Sequence, residues 1–428
     1  MATKVNGSAQ QLVQLPTPAN LSSLVPVYTL DVQDERADTL RGLLQKGHTA
    51  VAPLREPKLI LHSHLPHLLG SAYFLGAPAQ QLEELYEHEI TTLREIDDTF
   101  LPGSAISRDI WRAFLGKKPY TVAYVQYFDE ELKRNNGNWK KLLQEYLFAG
   151  PEPLINGFSG GLGHPFIHLA YAWELQSPTV ATEALSLGCT ENMEAHGLLD
   201  NYPPDNSTYK TSSFADVIKH IYDDKRFDGL FEYQGITNID TLMQQRFQAV
   251  LEHWNAWEVT DPLQQLEKMC DTSVLLAIAT GDQEHKFDFY LVHTMTVAHA
   301  LRVLWELFPE NQQACILRQY ALFVIMVYIC QLKPEVDFDL IHAIDSVHLG
   351  EWDDWDSIVE RALQHKWMKD SHFFKVIRAP KAFEETYGAK NDFYRKASLK
   401  FLAEFDGWEG FGLGVEGFLP NRDGYKPE

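Results

Sequence analysis

Residues 320–332 read YALFVIMVYICQL, and the fold turns on how this stretch is housed. Its apolar core, 320–330, falls well short of the roughly 20 residues a membrane-spanning helix needs, so it reads as a helix buried in a protein interior. TSVLLAIATG from 272 is its counterpart. Both are apolar on most faces and belong at the centre of a bundle. Around them, ADTLRGLLQKG from 37, QLEELYEHEITTLREID from 81 and TLMQQRFQAVLEHWNAW from 241 repeat their apolar residues at the helical period, on one face. Sustained strand alternation is nearly absent. Pro and Gly clusters at PLREPK from 53, AGPEPLINGFSGGLGHP from 149 and DNYPPDNSTYKTSS from 200 punctuate the helices as loops. There is no internal repeat and no low-complexity tract. The expectation is an all-α protein, a large multi-helix bundle forming one domain over 34–407. An extended segment, 1–33, precedes it and a Gly- and aromatic-rich tail, 408–428, lies over the body or a pocket mouth.

The 428 residues carry 37 Lys and Arg against 59 Asp and Glu, a net charge of −22 that repels a phosphate backbone. With no basic run to offset it, nucleic acid is not an expected partner. The start of the chain, MATKVNGSAQQLVQLPTPANLSSL, lacks a basic region followed by an apolar block, so no secretory signal is read and a cytoplasmic protein without a membrane partner is expected. Four scattered cysteines without a CxxC pair suit reduced structural thiols. The one glycine-rich segment, GFSGGLGHP at 157–165, has neither GxGxxG nor Walker spacing and follows no strand pattern. No tightly bound flavin is therefore expected. HExxH, ExxH, HxD and HxE are all missing, which argues against zincins, ferritin-like di-iron sites and the ordinary iron facial triad.

Seventeen histidines are the compositional oddity, and four segments place them at helix-compatible spacing in apolar surroundings. In LILHSHLPHLLGSAYFLGAP from 59, His64 and His67 are three apart and can share a face, while His62 lies to the side. In HPFIHLAYAWEL from 164, His164 and His168 are four apart, about 40° around a helix, a suitable two-armed metal ligand. FDFYLVHTMTVAHALRVLWELF from 287 carries His293 beside Thr296, Val297 and Ala300; His299 is about 240° away from it and serves no common centre. Any one of these is ordinarily a core histidine bonded to a carbonyl. In DSHFFKVIRAPKAF from 370, His372 and Lys375 share a face, and apolar neighbours lower a lysine's pKa. A neutral amine adds carbon dioxide to give a carbamate, which is chemically a carboxylate. A site with several imidazoles and no HxD could obtain its anion in this way.

In order along the chain, SHLPHLL before FLGA, HPFIHLAYAWE, DFYLVH and DSHFFKVIRA resemble the ordered blocks of the questin oxidase-like family of fungal and bacterial proteins. Ser63 and Leu68 stand where that pattern has Asn and a second His. The resemblance implies oxidative cleavage of the central ring of an anthraquinone, or its hydroquinone, to a benzophenone-type product of fungal polyketide pathways. The partners would be a small aromatic polyketide and dioxygen. It implies a mononuclear non-heme Fe(II) dioxygenase in which His64 or His67, then His164, His168, His293 and a carboxylated Lys375 match the metal ligands, with His372 a further ligand or an adjacent partner. Some members are viewed instead as NADPH-dependent Baeyer-Villiger monooxygenases, so NADPH is a candidate reductant. A non-catalytic helical binding protein with structural histidines is the alternative outside enzymology.

Overall fold

A computed structural model describes residues 30, 33–55, 61–96, 106–192, 194–280, 286–337, 341 and 354–412. The expected tail beyond 412 and most of the expected segment 1–33 lie outside the described residues. Sixteen α-helices occur among them: α1 (Glu35–Ala50), α2 (Leu65–Phe74), α3 (Ala79–Ile90), α4 (Thr121–Arg134), α5 (Trp139–Leu147), α6 (His164–Glu174), α7 (Pro178–Thr190), α8 (Gly197–Asp200), α9 (Phe214–Asp223), α10 (Ile239–Ala256), α11 (Pro262–Ile278), α12 (Leu291–Leu304), α13 (Glu310–Cys330), α14 (Trp355–Leu363), α15 (Ser371–Tyr387) and α16 (Phe393–Glu404). The architecture is all-α, as expected. Two short strand pairs are the exceptions: β1 (Val51–Arg55) runs antiparallel to β2 (Leu93–Glu95), and β3 (Phe287–Asp288) parallel to β4 (Trp408–Glu409).

Local chemistry explains where the helices begin. Asp34, Asn138, Ser177, Ser213, Asp261, Asp354 and Asp370 each accept a backbone N–H of the first turn, satisfying donors the helix itself leaves open. Proline occupies the first turns of α2, α6, α7 and α11, where its missing N–H costs nothing. The apolar stretch at 320–332 is the second half of the 21-residue α13, a helix long and apolar enough by composition to cross a bilayer. Its most apolar window is 78% buried inside the bundle, so the surrounding helices take the place lipid would fill. The 272 stretch is likewise the end of the longer α11, which Asp261 and Pro262 start ten residues earlier than its apolar run.

Four helices form a closed ring. α2 packs on α6, α6 on α12, α12 on α15, and α15 back on α2. α7 lies against the outer side of α6, and α11 and α13 support α12. One close joint of the ring is at the start of α6. Leu162 and Gly163 both take left-handed backbone conformations, with φ of 58° and 73°, to turn the glycine-rich loop into the helix. A Cβ on Gly163 would stand 2.3 Å from Cγ2 of Val297 on α12.

Gly163→Ala therefore combines a left-handed φ with overpacking, and a loss of about 2–5 kcal/mol is expected in denaturant unfolding. Adding Val297→Ala relieves the clash but not the φ, so it should restore only part of the loss. Unchanged stability of the single variant would mean that α6 and α12 are not held this closely.

Candidate metal centre

Each helix of the ring delivers basic side chains to its interior. His64 is the N-cap of α2, and Pro66 fixes the turn that brings His67 onto the same side. His164 opens α6, His293 sits in the first turn of α12, and Asp370 caps α15 so that His372 and Lys375 occupy its first turns. All six side chains are buried. The donor nitrogens of His64, His67 and His164 lie within 4.8 Å of one another, as do those of His164, His293 and His372. His164 belongs to both triads, and its Nε2 is 2.8 Å from Nε2 of His64.

Hydrogen bonds to backbone carbonyls orient two of the rings. Nδ1–H of His164 donates to Gly161 O at 2.6 Å, and Nδ1–H of His293 donates to Phe289 O at 2.6 Å, which leaves each Nε2 as a lone pair, that of His164 facing Nε2 of His64. Among the described residues, no hydrogen-bond partner meets His293 Nε2, His372 Nε2, either nitrogen of His67, or Nζ of Lys375. Burial, reinforced by the neighbouring basic groups, holds the pKa values of His64, His67, His164 and His293 well below the ordinary imidazole value. Burial and the nearby Lys375 bring His372 down to about 4, and burial brings Lys375 to about 7. Only Asp370 and Glu89 pull the lysine the other way. Neutral imidazoles with converging lone pairs, shut away from water, are the donor set a transition-metal cation requires, and the orphaned nitrogens fit one.

The triads bring together His64, His67, His164, His293 and His372, with Lys375 one turn along α15 from His372. His168 stands outside both. Its Nε2 is 3.0 Å from Oε2 of Glu183 on α7, and its ring is edge-on to His67 with centroids 5.1 Å apart. His62 is closer in than its expected sideways position: its ring stacks on His164 at 4.4 Å, and its Nε2 lies 2.7 Å from Oε1 of Glu191, out of hydrogen-bond alignment. Glu191 also pairs with Lys118 at 2.7 Å. Thr296 and Ala300 border a cavity for about one water-sized molecule, which His299, Lys375, Arg378 and Glu174 also line. His299 is thus separate from the triads yet shares a small cavity with Lys375. His253 is engaged elsewhere, by Tyr209 and Asp224.

Sequence reading overlooked the acidic groups around the centre. Asp370 was legible as an N-cap directly before Ser371 and His372; it lies 3.6 Å from Nδ1 of His372 and accepts Trp408 Nε1–H at 2.8 Å. Glu183, Glu191 and His48 come from other elements, and no local pattern marks them. Phe289 flanks both His293 and His372, with centroids 4.9 and 4.5 Å away, and Phe411 packs on Phe289 at 5.1 Å. The described start of the tail therefore does lie over the site's edge.

The family described as questin oxidase-like matches residues 61–380, a span containing every residue of the cluster. The Baeyer-Villiger oxidase mdpL of Emericella nidulans is 21% identical over 86% of this chain and 84% of its own length. The oxidoreductase AflY of Aspergillus parasiticus is 22% identical over 91% and 78%, and the questin oxidase of Aspergillus fumigatus 23% identical over 82% of each. The chain belongs to the questin oxidase-like family, whose named relatives here are oxidoreductases.

The position of Lys375 has a consequence for stability. Burial lowers its folded-state pKa to about 7 from an ordinary 10.5. Between those values the unfolded chain binds more protons than the folded one, so stability rises with pH across that window. In metal-free protein kept free of carbon dioxide, the wild type is expected to gain up to about 1.4 kcal/mol per pH unit relative to Lys375→Met. Parallel unfolding curves for the two proteins from pH 7 to 10 would show that the amine is solvated.

Proposed function

We propose that this member of the questin oxidase-like family is a non-heme iron oxygenase that opens the central ring of a hydroxylated anthraquinone or its hydroquinone. The observation that carries the reading is the set of buried, neutral imidazoles facing one another from four helices, with nitrogens of His67, His293 and His372 unmet by protein groups among the described residues and those of His64 and His164 facing each other. His64, His67, His164, His293 and His372 are the proposed candidates to hold Fe(II). The bound metal would supply the activation of dioxygen that an all-protein site lacks. The relatives named questin oxidase and Baeyer-Villiger oxidase support an oxidative reaction on a polyketide. Those same Baeyer-Villiger names keep an NADPH-dependent monooxygenase on the same substrate class as the second reading.

The remaining steps fall to the chain itself. No carboxylate belongs to either triad among the described residues, and Lys375 is the proposed source of an anion. Its neutral amine adds to the carbon of carbon dioxide: one N–C bond forms, one N–H proton leaves to water, and no electrons change hands. The resulting carbamate balances positive charge that the imidazoles cannot. Phe289, Trp408 and Phe411 offer flat apolar faces beside His293 and His372 for a polycyclic aromatic substrate. Their burial also keeps water from the reacting centre.

Elemental analysis of active protein is expected to find about one iron per chain; active protein free of transition metal would end the iron reading in favour of the NADPH-dependent one. His164→Ala and His293→Ala should lose iron and lower turnover by more than the roughly 10–100-fold typical of an outer-shell change, while His253→Ala keeps both.

Lys375→Arg is expected to be as damaged as Lys375→Ala, because a guanidinium stays protonated and forms no carbamate. Formate or acetate should partly restore the alanine variant alone. Full turnover in the arginine variant would leave a centre held by histidines only.

A further inference from the structure

None of the six basic residues at the centre is more than 3% exposed, and the cavity beside Lys375 holds about one water-sized molecule. A tricyclic aromatic needs a pocket of roughly 300 Å³ or more. Some part of the wall must therefore move before such a molecule reaches the histidines. Much of that wall is the ring helices themselves, packed on one another and backed by α7, α11 and α13. Over His293 and His372 it is made instead by Phe289 and the short segment 407–412. Trp408 lies 6.0 Å from His372 between ring centroids, and Phe411 covers Phe289 at 5.1 Å. The segment is a single extended strand of chain, with Asp406 exposed just before it and Glu409 partly exposed on its outer side. Left-handed glycines mark its two ends, Gly407 with φ of 120° and Gly412 with φ of 71°. Individually weak bonds hold it. Gly407 O accepts Phe287 N–H at 3.4 Å, and Glu409 O accepts Phe289 N–H at 2.9 Å. The Trp408 indole N–H donates to Oδ2 of Asp370 at 2.8 Å, and its ring packs on Phe405 at 4.6 Å. The side-chain amide of Gln331, just past α13 and oriented so that its nitrogen faces acceptors, donates to Gly410 O at 3.1 Å and to Oδ2 of Asp288 at 2.7 Å.

We infer that segment 407–412 is a strap that swings aside to admit a flat aromatic substrate to the histidine cluster and closes behind it, with the Trp408–Asp370 bond as its latch. The inference rests on the reading that the cluster is the reaction centre. Opening the strap breaks the two-residue pairing of β3 with β4 and uncovers a few rings, whereas opening the ring would part helix faces along their length. Glycines at both ends give the backbone the freedom a hinge uses. The latch is built so that it can be released alone. When the Trp408 indole leaves, Oδ1 of Asp370 still accepts the backbone N–H groups of His372 and Phe373, at 2.7 and 3.1 Å. The first turn of α15 therefore stays formed while the strap moves, and His372 and Lys375 keep their places. Phe289, which leads into α12, remains as the fixed wall of the opening. Once the substrate is inside, Trp408 and Phe411 return as its apolar cover and exclude water.

Trp408→Phe keeps an apolar ring but loses the latch, and Gln331→Met frees the far end of the strap from α13. In the full chain, with any bound metal first removed, access to each histidine is read as its rate of carbethoxylation by diethyl pyrocarbonate, followed site by site in the mass spectrometer. Each variant is expected to label His293 and His372 about five- to tenfold faster than the wild type, the worth of one hydrogen bond in the opening equilibrium. His299, on another face of α12, and His253, outside the centre, should keep their wild-type rates. Unchanged labelling of His293 and His372 in either folded variant overturns the proposal. A rise matched at His299 overturns it too, because the bundle would then be opening as a whole. Thermal melts establish which variants are folded, and Gln331→Met, which alters no ring over the cluster, serves if Trp408→Phe is not. This readout needs neither iron nor turnover, so failure of the iron oxygenase reading and failure of the strap are told apart. Where the protein binds a hydroxylated anthraquinone, Gln331→Met should raise its association and dissociation rates together with little change in Kd; unchanged rates would again refute the strap.

Discussion

Burying a basic nitrogen without a partner costs free energy, and the ring of α2, α6, α12 and α15 does this at once with His64, His67, His293, His372 and the amine of Lys375. The surrounding structure is arranged around that cost. Each ring helix presents its apolar residues to neighbours on the outside, so that α7, α11 and α13 can seal the ring from water. Backbone carbonyls at Gly161 and Phe289 fix two tautomers without introducing any charge. The pKa values fall because the charged forms have nowhere to be solvated, and a set of neutral donors results. A cation bound there would repay the burial, which couples occupancy of the centre to the stability of the ring.

Acidic partners are kept at a distance in a graded way. Asp370 is bonded by Trp408 and by backbone N–H groups of α15, so its charge is shared between the helix start and His372. Behind Lys375, Arg378 pairs with Glu174 at 2.5 Å, both fully buried. Further along, Lys390 is held by Asp271 at 2.7 Å and Glu267 at 2.8 Å, with Tyr394 donating to Asp271. The first pair is balanced in charge, the Lys390 group sets two carboxylates against one buried amine with Lys268 3.7 Å from Asp271, and both sit where α15 and α16 meet α6 and α11. They are of little net worth against apolar substitutes but expensive to break singly, which favours one arrangement of the helices over its neighbours. Lys375 is the exception in this series: a buried cation-forming group with no carboxylate of its own.

Most of the helical layout was legible from period and punctuation. The stretches at 37, 241, 272 and 320 all fall in helices. The boundaries were missed where a cap outweighed hydrophobicity: α11 begins at an Asp-Pro pair and α13 after Pro309, both about ten residues before their apolar runs. QLEELYEHEITTLREID read as one helix, but α3 ends at Ile90 and Leu93–Glu95 pairs with β1 instead, a tertiary contact that outweighs local period. Within the centre, the angular argument placed His64 with His67 and separated His299 from His293. It also put His168 on the face of His164, correctly as a matter of helix geometry. What it could not contain is Glu183, which turns that ring's second nitrogen outward from a helix met only after the next turn of chain. Spacing along one helix encodes direction; which groups lie in that direction depends on how helices pack.

The interval between the centre's first and last contributors matters beyond geometry. His64 lies near the beginning of the described chain and His372 near its end, and Trp408 holds Asp370 from further on still. During synthesis the early histidines emerge long before the segment that completes their surroundings. Contacts of such long sequence separation form late, after most of the loop-closure entropy has been lost. The nascent chain thus presents exposed, readily protonated imidazoles to the cell, and these become neutral, sheltered donors only when α15 docks. Loading of a metal there would in this sense be a post-translational event, its timing set by the arrival of the last helices rather than by the supply of what they enclose.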